Sequence, residues 1–195
     1  LCDRRQRQMC IRDSYNVGYQ HFNAMGTLAD TDFFELFFYG LWRVLPMIIV
    51  SYVVGLGIEF AAAQIRGHEI NEGFLVSGLL IPMIMPINAP LWMVGVSTAF
   101  AVIIGKEIFG GTGMNIWNPA LLARAFFFFS YPSMISGDKV WIAGMPDGFS
   151  QATPLAEAAQ GLPTTYDMSS MFWGLIPGSV GETSTFCILL GAILL

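Results

Sequence analysis

Three groups of residues have the types and spacing to do chemistry. The first is the run Asp147-Gly148-Phe149-Ser150-Gln151-Ala152-Thr153-Pro154-Leu155, in which small residues surround a single Thr hydroxyl. As local structure this run opens a helix: Thr153 is the N-cap, Pro154 takes the first helical position and Glu157 follows. The second is Glu59, one acid inside the apolar run 44–63. A carboxylate there is costly and reads as an ion, proton or ligand site. It reads equally as a side chain that snorkels to the interface one turn away, with Arg66 two turns further on. Gly55 and Gly57 just before it permit close approach by a neighbouring helix or a flat ligand. The third is Asn115 and Asn118, flanking Ile116-Trp117. Asn118 before Pro119 is a good N-cap, which leaves Asn115 unassigned. Amides also offer donors and acceptors to a heterocycle. Trp117 and the run Phe126-Phe127-Phe128-Phe129 then form its apolar wall, or simply a core or lipid-facing stripe.

Other chemistries find no support. His21 and His68 are far apart, with no HExxH pattern, no G-x-S-x-G elbow and no phosphate-binding loop. Gly110-Gly111-Thr112-Gly113 lacks the Lys-Ser/Thr of such a loop and reads as a turn. No metal site and no side-chain catalyst are expected.

The elements that must hold these residues are membrane elements. The chain has 195 residues, 54% hydrophobic and only 12% charged, with mean hydropathy +0.58, against about 25% charged in soluble domains. Nine Lys and Arg face fourteen Asp and Glu, which argues against nucleic acid as a partner. Residues 15–43 read as an extramembrane segment ending in the aromatic belt Phe37-Phe38-Tyr39. Residues 44–131 read as transmembrane helices: a span over 44–63, a short apolar piece 74–87 broken by Pro82 and Pro86, a second span over 91–108 and a short piece over 119–131. Residues 132–170 are long, mixed and polar, the length at which loops become functional. Residues 171–195 begin a further membrane segment, interrupted at Pro177 and Gly181. Broken helices at membrane depth survive only inside protein or beside a cavity, and paired interruptions suggest discontinuous helices of the transporter kind. If Arg66, His68 and Lys106 mark the cytoplasmic side, the 132–170 loop lies on the opposite face.

The first fourteen residues stand apart. Arg4–Ser14 back-translates into a stretch resembling a transposase-type DNA sequencing adapter read in frame, so residues 1–14 are expected to be non-native. Without them five basic and twelve acidic residues remain, a net charge of −7, and Cys187 is the one cysteine left. A lone Cys in an apolar run is a small core residue. The far end, Phe186–Leu195, is apolar to its last residue, where a span needs about 20. The expected class is therefore a fragment of an all-α polytopic membrane protein with broken or re-entrant helices.

Five stretches together carry a resemblance: RGHEINEGF (66–74), KEIFGGTGMNIWNPAL (106–121), SGDKVW (136–141), DGFSQATPL (147–155) and IPGSVGETST (176–185). In this order they resemble the B-subunit family of the sodium-translocating NADH:quinone oxidoreductases. The D subunit of the related Rnf complex shares the NPA and SATP-like elements but is not expected to carry RGHEINEGF.

The resemblance implies a multi-pass subunit of a six-subunit respiratory sodium pump in the bacterial inner membrane. Electrons would pass from covalent FMN through riboflavin to ubiquinone, coupled to Na+ export, with the flavins doing the redox chemistry. Thr153 would carry FMN through a phosphodiester bond made by a flavin transferase, within the loop formed by Asp147, Gly148, Ser150 and Ala152. Asn115 and Asn118 would hold riboflavin, and Gly55, Leu56 and Glu59 would line the quinone or ion region. Family members fold as two five-helix repeats like those of urea transporters, of which this chain would be a part. Gln151 stands where the family usually has Gly two residues before the acceptor, which would alter that turn, and Leu56 stands where a second Gly is often found, which would narrow the quinone pocket or change inhibitor sensitivity. The alternatives are an Rnf-type D subunit and a flavin-free solute channel or transporter of the same inverted-repeat fold.

Overall fold

The computed structural model describes residues 2–67, 73–111, 113–132, 142, 153–181 and 184–193, with backbone alone for 2–11 and 191. Every regular element among the described residues is helical: α1 (Cys2–Met25), α2 (Phe33–Arg66), α3 (Phe74–Met83), α4 (Leu91–Gly105), α5 (Pro119–Ser130), α6 (Pro154–Ala159), α7 (Met168–Trp173) and α8 (Thr185–Ile193). Two of them are long and apolar enough to cross a membrane: α2, and α4 together with the 3-10 turn Glu107–Phe109. The chain divides into two compact units, Leu45–Met85 with Ala89–Ser136, and Leu1–Val44 with Pro86–Asn88 and Gly137–Leu195.

In the first unit the organising element is the latter part of α2. Met47, Ser51, Gly55, Glu59 and Ala63 are buried and recur every fourth residue, a single stripe on a 3.6-residue period. The opposite face shows Val53, Phe60 and Ile65 to the surroundings, as a helix in hydrocarbon does. α3 runs antiparallel along the stripe. Ser51 Oγ donates to the Gly78 carbonyl at 2.8 Å and Tyr52 Oη to the Leu75 carbonyl at 2.6 Å. Such close approach requires small residues. A Cβ on Gly78 would lie 2.9 Å from the Tyr52 ring, and one on Gly55 would run into the ring of Phe74, which is fully buried.

That notch makes a testable demand. Gly55→Ala forces the Phe74 ring aside and costs about 1–3 kcal/mol by overpacking. The thermal midpoint of the purified full-length subunit should fall, and Phe74→Leu added to Gly55→Ala should recover part of the loss. Equal effects of the single and double changes would show that Phe74 is not the obstacle.

α3 is ten residues long, about 15 Å, and stops where sequence placed the break. Pro82 sits within its last turn, and residues 84–87, including Pro86, are buried. A buried break leaves carbonyls without helical donors. One of them, that of Ile84, receives the Arg124 guanidinium from α5. α4 returns alongside α2, with Gly95 facing Val50 and Val54 and Lys106 reaching Glu59. α5 packs antiparallel on α4, pairing Phe100 with Phe126 at 4.2 Å and Trp92 with Tyr131 at 5.5 Å.

In the second unit, α1 lies against the first turns of α2 with their backbones touching. A Cβ on Gly18 would meet the Leu36 carbonyl, and one on Gly40 that of Ser14. Asp13 on this helix is buried, and burial pushes its carboxyl up to about 8 against the opposing pull of Arg12. Asn16 Nδ2 donates to the Ile176 carbonyl at 3.3 Å. α7 ends at Gly174, whose φ of +80° provides the left-handed cap. The interruption at 177–181 turns the chain so that Phe186 of α8 meets Trp173 at 5.1 Å.

The expected span over 44–63 is the middle of a longer helix. Between Phe33 and Arg66 the one strong breaker is Pro46, which removes a single hydrogen bond without ending an otherwise apolar run. The aromatic belt 37–39 is therefore helical.

Candidate functional site

Glu59 decides between its two sequence readings by burial. It is 5% exposed, and its Oε1 accepts from the ammonium of Lys106, equally buried at the end of α4. It does not snorkel, and its partner is not Arg66. Arg66 instead pairs with Glu107 at 3.6 Å, so among the described residues two acids and two bases pair near the ends of α2 and α4. The Lys106 ammonium also lies 5.7 Å from the centre of the Phe74 ring, a cation–π contact. Phe74 thus fills the Gly55 notch and lines the ion pair together. Leu56 is half-buried and Gly57 is exposed, with no atom of the described residues within 4 Å of an added Cβ. A flat ligand therefore has access at Gly57, whereas the face of Gly55 is taken.

The turn after α4 is built by glycine. Gly110, Gly111 and Gly113 have φ of +112°, +98° and +91°, the left-handed region where only glycine is unstrained. This turn carries both asparagines. Asn118 is the N-cap of α5: its Oδ1 accepts from Ala120 N–H at 2.9 Å, with Pro119 at N1. Asn115, unassigned in sequence, holds the turn itself. Its Oδ1 accepts from Gly113 N–H at 3.3 Å and its Nδ2 donates to the Trp117 carbonyl at 3.2 Å. Among the described residues the contact of the Asn118 side chain is through Oδ1, and its Nδ2 carries donors of the kind a heterocycle carbonyl takes. Of the aromatic wall, Phe127 is buried and Phe126 stacks on Phe100, while Trp117, Phe128 and Phe129 are exposed.

Thr153 is the N-cap of α6 as its spacing implies, with Pro154 at N1 and Thr153 Oγ1 accepting from Ala156 N–H at 3.2 Å. The oxygen is thus fixed while its hydroxyl proton is not spent on the cap. Glu157 follows in the first turn of α6. Its carboxylate is buried and turns forward, accepting from the backbone N–H of Thr165 at 2.9 Å and from the Thr165 hydroxyl. A six-residue helix is too short to hold itself, and this clamp closes the following loop onto it. Asp147, Gly148, Ser150 and Ala152 lie outside the described residues.

The clamp has a pH signature. Burial, and the Glu157 carboxylate beside it, push the Tyr166 phenol above its ordinary 10.0. Below that value the phenol is neutral folded or unfolded. Above it the unfolded chain ionises first, so stability present below pH 10 declines as the pH rises through the folded value. Melting between about pH 9 and 11 should show this decline, with a shallower slope in Glu157→Gln. Identical slopes would separate Tyr166 from Glu157.

Three side chains of this site escaped sequence reading: Lys106, Phe74 and Arg124. Lys106 served only as a topology marker, and a spacing of 47 residues from Glu59 has no local periodicity. The one available signal was a lone acid in one span matched by a lone base at the end of the next.

Comparison with known proteins places these features. The chain is 44% identical over 199 residues to the B subunit of the Na(+)-translocating NADH-quinone reductase of Chromohalobacter salexigens, covering 97% of this chain and 48% of that one. It is 45% identical over 179 residues to the B subunit of the same name from Pseudoalteromonas atlantica, 88% of this chain and 44% of the relative. For the Yersinia pestis protein of that name the figures are 46% over 162 residues, 77% and 38%. The chain spans about half the length of the curated relatives it matches. With the model of the NQR2, RnfD, RnfE family matching residues 6–195, the chain belongs to that family.

Proposed function

We propose that this chain is part of a multi-pass subunit of a bacterial inner-membrane, sodium-translocating NADH:quinone reductase. In this reading it works beside the other subunits of a six-subunit complex and belongs to a urea-transporter-like repeat fold. The observation that carries the reading is identity above 40%, along nearly the whole chain, to relatives that bear that subunit's name. The two long apolar helices agree with it.

The residues present suit the groups the reading requires. FMN would be held as a phosphodiester on Thr153 Oγ1, which α6 fixes at its first turn while leaving the hydroxyl proton unspent. A flavin transferase would make that bond. Riboflavin would be held through the Nδ2 hydrogens of Asn118, with Asn115 setting the turn that presents them. When bound, flavins supply stepwise one-electron and two-electron transfer, and the protein supplies position and electrostatics. Quinone would approach from the bilayer at Leu56 and open Gly57, next to Glu59. Phe74, fully buried, closes the protein side at Gly55.

The test is NADH-driven quinone reduction by the complex assembled with the full-length subunit. The rate should rise with Na+ and vanish when the subunit is deleted. A complex whose quinone reduction ignores Na+ would overturn the reading.

A further inference from the structure

We propose that Lys106 is a tethered counter-cation for Glu59, and that a sodium ion reaching Glu59 must take the place of the Lys106 ammonium. The inference rests on the sodium-pump reading above and adds a residue that sets the affinity for the cargo.

The geometry is that of competition. Glu59 and Lys106 are both buried and in direct contact, from two helices each long enough to span a membrane. A buried carboxylate must be neutralised, and among the described residues the ammonium of Lys106 does this. A second monovalent cation at the same oxygen would add a net charge inside the protein unless the first one moved. The neighbourhood provides for that movement. Lys106 is the C-cap of α4, its N–H bonded to the Val102 carbonyl at 3.2 Å, so any movement of the ammonium comes from its long side chain. Glu107 follows it, with Oε2 buried, 3.6 Å from Arg66 and without a hydrogen bond among the described residues. That acid, next to Lys106 in the chain, can accept a displaced ammonium. Phe74, fixed in the Gly55 notch, holds the ammonium in its resting place through its ring face.

Competition of this kind lowers the apparent affinity for the external cation by the fraction of time the acid is unoccupied. Removing the internal cation therefore tightens sodium binding. The experiment uses the complete complex at one fixed pH and reads the sodium concentration giving half-maximal quinone reduction. Lys106→Gln should lower it about tenfold. Lys106→Arg, whose planar fork binds a carboxylate by two hydrogen bonds, should raise it about threefold or more. A half-saturating concentration that stays at the wild-type value in the assembled variants overturns the proposal. If Lys106→Gln fails to assemble, Lys106→Arg alone decides by the same criterion. Failure here differs from failure of the functional reading, in which the wild-type complex itself shows no sodium dependence.

Discussion

Thr153→Ala abolishes covalent flavin on the full-length subunit produced with an active flavin transferase. Under ultraviolet light the wild-type band fluoresces in a denaturing gel and the variant band is dark. The expected effect is all or none because the proposed bond would be made to one oxygen, Oγ1. Losing that oxygen also removes the cap on α6, since Ala156 N–H no longer has its acceptor. A lost N-cap costs about 1 kcal/mol, enough to fray a six-residue helix without unfolding the protein. Two further substitutions separate chemistry from structure. Thr153→Asn restores a strong cap but offers no hydroxyl, so it stays dark. Thr153→Ser keeps both and fluoresces. A bright Thr153→Asn band would move the attachment to another residue.

The second large effect belongs to Glu59. Glu59→Gln leaves the Lys106 ammonium buried at the end of α4 without its carboxylate. Breaking a buried pair by removing one partner costs about 3–5 kcal/mol, more than any surface change on this chain would. Phe74 remains over the ammonium and recovers a part of that, on the order of 1 kcal/mol. In the assembled complex quinone reductase turnover should fall about tenfold or more, or lose its dependence on sodium, as expected when a functional intramembrane acid is neutralised. Thermal unfolding of the same preparation reports the stability loss separately. Turnover and sodium dependence both at wild-type values, with the melting point lowered, would make Glu59 a purely structural residue.

What could be read from the sequence follows the range of the forces involved. Helix starts are local events, so Asn118-Pro119 and Thr153-Pro154 announced α5 and α6 through capping alone. The break after α3 was equally legible, because Pro82 and Pro86 act on their own backbone. The extent of α2 was not, since aromatic belt residues favour helix or interface equally until packing decides. The backbone contact of Gly18 and Gly40 fixes where α1 lies, and it depends on residues far apart in sequence. α1 runs through Ser14 without interruption, as a stretch rich in Arg, Gln and Met would. Glu59 was legible as a costly acid in an apolar run. Its neutralisation by Lys106 was not, because a pairing between two spans leaves no periodic trace in either. Glu157 was legible only as an acid in the first turn of α6, because its partner Thr165 lies eight residues further on and leaves no local pattern.

The proposed attachment of flavin to Thr153 is tested most directly on the intact complex from cells with a working flavin transferase. The proteolytic peptide containing Thr153 is weighed and fragmented by mass spectrometry. The expected peptide is heavier by FMN less one water, with fragment ions placing the added mass on Thr153. An unmodified peptide, or an added mass on any other residue, would contradict that assignment.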